Sequence, residues 1–324
     1  MAEHFVAFWN VENLFDLEDS PDRPDYLQEQ LARELVGWNE TILARKVEQL
    51  ASLVFQMNGG KGPDLLGICE IENENVVRRL VEALRPLGRT YDVAHADTRD
   101  GRGIDCALVF DADLYQKAET FSHFVLKRTA TRDIFQVNLT TQAGRDLIAV
   151  VNHWPSRSGG EAESAPYRMM VGETLAYFHK RMLEEKGRDV AVVVMGDFND
   201  EPFDRSVTDY ALSIRNARRL LNATSVDYFL NLMWEATGQG DATFYFGSQP
   251  NMLDQFWVSR GIAADDKPFR LRPGSVRVER FAELVKQGDY PGARKFGRPA
   301  EAGFDRDGYS DHFPISLILD EADR

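Results

Sequence analysis

The chain has 324 residues, 43% hydrophobic and 28% charged, the balance of an ordinary soluble globular protein long enough to bury a large core. Its formal net charge of −14 argues against a protein that coats nucleic acid through a broad basic surface, but not against an enzyme whose acidic cleft is partly neutralised by a divalent cation. The opening "MAEHFVAFWNVENLFD" lacks the basic region and apolar run of a secretion signal, and nowhere do about eighteen uncharged apolar residues occur together; the expectation is a cytoplasmic protein with no membrane partner.

In chain order, "FVAFWNV" reads as a strand whose extension puts Asn10 and Glu12 on one face. Residues 39–57 follow as a helix, with Asn39 as N-cap and Ile42, Leu43, Val47, Leu50, Leu53, Val54 and Met57 near helical spacing. "DLLGICEI" at 64–71 is a strand ending in Glu70, with Glu72 on the same face, and residues 73–85 form a second helix. Strands are expected at 91–97 and 103–111, then in "DIFQVNLT" and in "DLIAVVNHWP", which carries Asn152 and His153 at its end. A helix over about 164–186 shows Met170, Leu175, Phe178 and Met182 as its apolar stripe. "DVAVVVMGDFN" ends in Asp197 and Asn199 on one face, "MLDQFWVSR" carries Asp254, "SVRVER" follows, and the last strand, "FPISLIL", is preceded by Ser310, Asp311 and His312.

The two halves hold similar numbers of strands and helices, which suits two face-to-face sheets with helices outside, an α/β sandwich. With no repeat, low-complexity tract or linker, residues 1–324 read as one domain. Cys69 and Cys106 lie in apolar runs and read as buried, reduced thiols.

A single acid after a strand is usually solvated or turn-forming. Here several strands stop in residues able to ligate a hard cation or move a proton, and oxygen donors without thiolates suit Mg²⁺, Mn²⁺ or Ca²⁺ better than zinc or copper. The ordered set "FWNVENLFD", "GICEIEN", "RGIDCALVF", "VNHWPSR", "MGDFNDEP", "LDQFWVS" and "SDHFPI" resembles the endonuclease/exonuclease/phosphatase superfamily, from Phe8 to Ile315, and looks most like its bacterial members with an N-terminal "NVENLFD" motif. The resemblance implies a deoxyribonuclease I-like four-layer α/β sandwich, two mixed β-sheets flanked by helices. It implies a divalent-metal-dependent phosphodiester hydrolase, first guessed to be a nuclease for DNA or RNA, using Mg²⁺ or alternatively Mn²⁺. By the same resemblance Glu70 is the principal metal carboxylate, with Asn10 and Asp311 contributing directly or through water. His153 would contact the scissile phosphate, Asp197 and Asn199 would orient the attacking water and a phosphate oxygen, and Asp254 and His312 would be hydrogen-bonded together. Glu12 stands where the nuclease branch often has Asp, and Glu72 competes with Glu70 on the same strand face. Either Asp197 or His312 would serve as the base.

Arg102, Arg128, Arg132, Arg157 and Arg168 flank these motifs. Arg102, Arg132, Arg157 and Arg168 are candidate phosphate contacts, and residues 156–168 a candidate substrate-facing loop. His4, His95, His123 and His179 lack polar company and read as surface or satisfied core groups. Two other readings stand beside the nuclease: a phosphatase or phosphodiesterase for a small phosphorylated molecule, favoured by the acidic charge and the absence of Lys/Arg-rich stretches, and a non-catalytic binding module, disfavoured by the intact set of site residues. The sequence gives no sign of oligomeric state.

Overall fold

A computed structural model describes residues 1–128, 130–288 and 290–323 of the chain. Its strands are β1 (Ala2–Leu14), β2 (Leu65–Ile71), β3 (Tyr91–His95), β4 (Asp105–Asp111), β5 (Tyr115–His123), β6 (Ile134–Thr141), β7 (Asp146–His153) and β8 (Ala191–Asp197). There follow β9 (Ser213–Ile214), β10 (Phe229–Asn231), β11 (Phe244–Phe246), β12 (Gln249–Asn251), β13 (Asp254–Val258), β14 (Phe269–Leu271), β15 (Arg277–Val278) and β16 (Ile315–Glu321). One seven-stranded sheet runs β14-β16-β1-β2-β4-β3, with β15 also on β16; the other runs β5-β6-β7-β8-β13-β10-β9. β11 and β12 form a separate hairpin. Both sheets are mixed, each with a parallel pair at its centre, β1 with β2 and β7 with β8.

Alternation along the central strands builds the layers. In β8, Val193 and Met195 face the other sheet and pack with Val6, Phe8 and Leu317. Val192 and Val194 face the opposite way, toward Leu175 and Met182 of a long helix, Glu161–Lys186. On the first sheet, Ala7, Trp9, Leu66 and Ile68 pack against Leu43, Leu50 and Val54 of the helix Glu40–Val54. The result is the expected α/β sandwich, helix on sheet on sheet on helix. Asn39 caps its helix as predicted, accepting from the amides of Thr41 and Ile42, and Asn73 accepts from Val76 at the start of Glu74–Ala83. Cys69 and Cys106 are cross-strand neighbours, free and buried, and burial pushes both thiols up. Among the described residues no helix is long and apolar enough to cross a membrane.

Gly196 shows how tightly the centre is built. A Cβ there would lie 2.4 Å from the carbonyl oxygen of Asn152, on the neighbouring strand. Gly196→Ala is expected to cost about 1–3 kcal/mol in denaturant unfolding, because backbone, not a flexible side chain, must yield, and to lower activity by displacing Asn152 and His153.

The expectation that the remaining histidines lack polar company needs correction at His4 and His123. His4 has polar company: its Nδ1 lies 2.6 Å from the Tyr115 hydroxyl and its Nε2 3.1 Å from Glu321. His123 bonds Gln136 at 2.7 Å. His179 is a core group, stacked on Phe229 at 3.7 Å, and burial pushes its pKa down to about 3. It therefore stays neutral when folded, while the unfolded imidazole takes up a proton below its ordinary value near 6.5. Its contribution to stability is complete above that pH and is lost as pH falls toward 3. His179→Phe should accordingly lose less stability than the parent between pH 7 and 4.5, by about 2–3 kcal/mol in urea titrations at the two pH values.

Candidate active site

β1, β2, β7 and β8 bring their C-terminal ends to one edge of the sandwich, while β13 and the loop before β16 reach it from the opposite chain direction. Two irregularities aim the acids. In β2, Cys69 pairs with Cys106 and Ile71 with Asp105, so Glu70 is an extra, unpaired residue at φ 63. This β-bulge turns the Glu70 side chain out of the strand alternation. Its Oε2 accepts from the Asn13 amide at 3.0 Å, and its Oε1 lies 3.7 Å from His153 Nε2. Glu72 goes elsewhere, taking the Asp16 amide at 2.8 Å and the Arg23 guanidinium at 2.6 and 2.8 Å. The expectation that Glu70 and Glu72 share a face fails because the bulge breaks the two-residue period.

β1 behaves likewise. Its register shifts between Asn10 and Leu14, with Glu12 at φ 52 and Asn13 at φ 53. Asn10 donates to Asp197 Oδ2 at 3.1 Å. Glu12 turns away from it, accepting from the amides of Phe296 and Gly297 at 2.8 and 3.1 Å, with the buried Lys46 ammonium 4.0 Å off. Asn10 and Glu12 thus do not share a face. Lys46, which also donates to the Tyr309 carbonyl, is a charge partner that sequence spacing did not reveal.

Asp197 lies at the centre. Its Oδ2 is 3.7 Å from His153 Nε2 and 3.8 Å from His312 Nε2, and its Oδ1 accepts from the Asn199 amide at 2.9 Å. Asn199, at φ 50, donates its side-chain amide to the Trp154 carbonyl. His312 Nδ1 is 2.7 Å from Asp254 Oδ2, and the Phe244 ring lies against the imidazole at 4.7 Å. Asp311 Oδ1 is 4.0 Å from His312 Nε2.

These environments separate the two imidazoles. Burial lowers His153 well below its usual pKa, helped by the charges of Arg132 and Arg102, so it is neutral. For His312 burial acts in the same direction, but Asp254 and Asp197 outweigh it and hold the ring well above the usual range, as an imidazolium. Burial raises Asp197 to about 6 against the pull of His312, with repulsion from Asp254 adding to the rise. Glu70 stays below its ordinary value because Arg102, His312 and Arg132 overcome its burial.

The donor set fits a hard divalent cation. Burial and neighbouring carboxylates raise the carboxyls of both Glu12 and Asp311, the sign of an excess of anionic oxygen that a cation would relieve. Asp197, Asp254 and His312 also form a compact carboxylate–imidazole group, their donor atoms within 4.8 Å of one another. There, however, the His312 Nδ1 proton is committed to Asp254. Asp311 and Glu70 offer the more open oxygens, while the buried Asn10 Oδ1 accepts from the Glu12 amide beside them. Beside Asp311 opens a cleft of about 750 Å³, lined in part by Tyr245, Tyr290, Lys286 and Lys295.

The arginines divide sharply. Arg102 is exposed, with Nη2 3.0 Å from Asn13 Oδ1 and Nη1 3.5 Å from Glu70. Arg132 and Arg168 do not reach an open surface as phosphate contacts would: both are buried. Arg132 donates to the carbonyls of His153 and Trp154 and pairs with Asp100 at 3.0 Å, bracing the His153 backbone. Arg168 lies 2.7 Å from Asp200 and donates to Ser164. Arg157 is turned onto the Asn199 carbonyl and onto Asp200 and Asp204. Arg128 reaches the Tyr167 hydroxyl. Much of the expected substrate-facing loop is instead the start of the Glu161–Lys186 helix.

Two mixed sheets flanked by helices, with imidazoles, carboxylates and amides gathered at one edge, make the deoxyribonuclease I-like α/β sandwich. The chain matches the Endonuclease/Exonuclease/phosphatase family over residues 5–321 and belongs to it. Nocturnin of Xenopus laevis is 24% identical over 213 residues, 61% of this chain and 50% of that protein, so the chain spans about half the length of this curated relative. In fold it is similar to D. rerio TDP2 complexed with a single-strand DNA product, at 14% identity and a TM-score of 0.59, covering 99% of this chain and 100% of that one. It is likewise similar to a mannosyl-6-phosphatase of Bacteroides thetaiotaomicron, at 15% identity and a TM-score of 0.58, covering 98% and 99%.

Proposed function

We propose that the chain is a divalent-metal-dependent phosphodiester hydrolase that acts on nucleic acid, with Mg²⁺ or Mn²⁺ as cofactor. The observation that carries this reading is the meeting of neutral His153, Asp197 and the His312–Asp254 pair beside Glu70. Glu70, Asp311 and Asn10 would hold the cation. When bound, it supplies Lewis-acid stabilisation of charge on the phosphoryl oxygens. Asp254 keeps His312 protonated and in one orientation, so His312 donates to a phosphate oxygen and cannot be the base. The open choice thus falls to Asp197, which takes the proton of the attacking water with Asn199 and Asn10 fixing its carboxylate. His153, braced through its carbonyl by Arg132, donates to the phosphate, and Arg102 binds a phosphate oxygen from the rim.

Arg102→Ala is expected to raise KM about tenfold and leave the melting temperature unchanged, since it removes one charge-assisted hydrogen bond at an exposed position. The test of the function itself is incubation with supercoiled plasmid, single-stranded oligonucleotide and bis(p-nitrophenyl) phosphate, each with Mg²⁺, Mn²⁺ or EDTA. Metal-dependent cleavage of the nucleic acids supports the proposal; no cleavage of any of the three overturns it. Turnover of the small diester alone would favour the second reading, a hydrolase for small phosphorylated molecules, to which the net charge of −14 and the similarity to a mannosyl-6-phosphatase also lend weight.

A further inference from the structure

We propose that a divalent transition metal of the zinc type binds between His95, Asp97 and Asp105, at the root of the loop that carries Arg102. His95 closes β3 and Asp105 opens β4, its antiparallel neighbour, with Asp97 two residues beyond His95. His95 Nε2 faces both acids, 3.8 Å from Asp105 Oδ2 and 4.0 Å from Asp97 Oδ1, and the three donor atoms lie within 4.8 Å of one another. His95 thus sits in acidic company, contrary to the expectation from sequence.

The imidazole supplies the second observation. Its side chain is only 4% exposed, and Nε2 is buried with no hydrogen-bond partner. A ring nitrogen withdrawn from water and left unsatisfied is unfavourable, and 3.8 Å is too long for a hydrogen bond to repair it. An ion about 2.0–2.2 Å from each donor bridges separations of this size with a small closing movement. One imidazole nitrogen with two carboxylate oxygens suits zinc and its neighbours, whereas Ca²⁺ and Mg²⁺ prefer all-oxygen sites.

The surroundings also fit. The other oxygen of Asp105 accepts from the amide and hydroxyl of Thr98, leaving Oδ2 free to ligate in a fixed direction. Burial raises the Asp105 carboxyl, so a cation there stabilises its charged form. Asp97 is exposed, and a small cavity lined by Asp97, Thr98, Gly103 and Asp105 gives entry. The ion would tie the end of β3 to the start of β4. Between them lie Asp100, which braces Arg132 and accepts from the Arg102 amide, and Arg102 itself. Metal at this point fixes the rim of the catalytic cleft without touching the reacting groups.

The test is direct titration of the metal-free full-length chain with Zn²⁺, comparing the parent with Asp97→Asn, His95→Gln and Glu70→Gln by calorimetry. The expected result is one Zn²⁺ equivalent weakened at least about tenfold in both Asp97→Asn and His95→Gln and retained in Glu70→Gln. Asp97 is exposed, so its variant folds even if His95→Gln does not. Stoichiometry and affinity in Asp97→Asn equal to the parent would overturn the site. Failure of the catalytic reading shows differently, as Glu70→Gln with no change in metal equivalents.

Discussion

Glu70→Gln is expected to reduce turnover by about 10² or more at saturating Mg²⁺ while leaving the unfolding midpoint nearly unchanged. The substitution keeps the shape and the hydrogen bond from the Asn13 amide, and it removes only the charge. Steady-state rates on bis(p-nitrophenyl) phosphate across a Mg²⁺ titration, with circular dichroism on the same samples, separate the two effects. A rate equal to the parent would remove Glu70 from the metal site. Glu72→Gln serves as the contrast: it breaks a buried ion pair with Arg23, so it should cost stability, about 3–5 kcal/mol for an uncompensated buried charge, rather than chemistry.

The second large effect concerns the imidazolium. His312→Ala should lower kcat by about 10²–10⁴, and Asp254→Asn by a comparable factor, because the amide no longer holds the ring charged and oriented. The pair acts as one unit, so the double variant should be little worse than either single one. Additive losses in a double-mutant cycle on kcat would mean that Asp254 acts independently of His312, and the proposed division of labour would fall.

The framework of the sandwich was legible because its central strands are nearly pure apolar runs. "AVVVM" can only be buried on both faces, and the polar residues that close such runs mark the end where strands stop being covered. What stayed hidden was of two kinds. The bulges at Glu70 and Glu12 follow from pairing across the sheet, and a period-two reading places every residue of a strand on one face or the other. The burial of Arg132 and Arg168 depends on Asp100 and Asp200, which loops far apart in sequence bring to them. β5 escaped notice because it is an edge strand, exposed along most of its length and without an apolar alternation.

The paired parallel strands at the heart of each sheet carry one last implication. Asn10 and Glu70 arrive on one slab, and His153, Asp197 and Asp254 on the other, so the proposed chemistry exists only across the seam between them. The seam works as a vernier: a slip of one slab over the other by even one ångström would misalign Asn10 with Asp197 while every strand kept its own hydrogen bonds. Catalysis should therefore vanish before secondary structure does when the chain is loosened by mild denaturant, making activity the more sensitive gauge of how well the two slabs are interlocked.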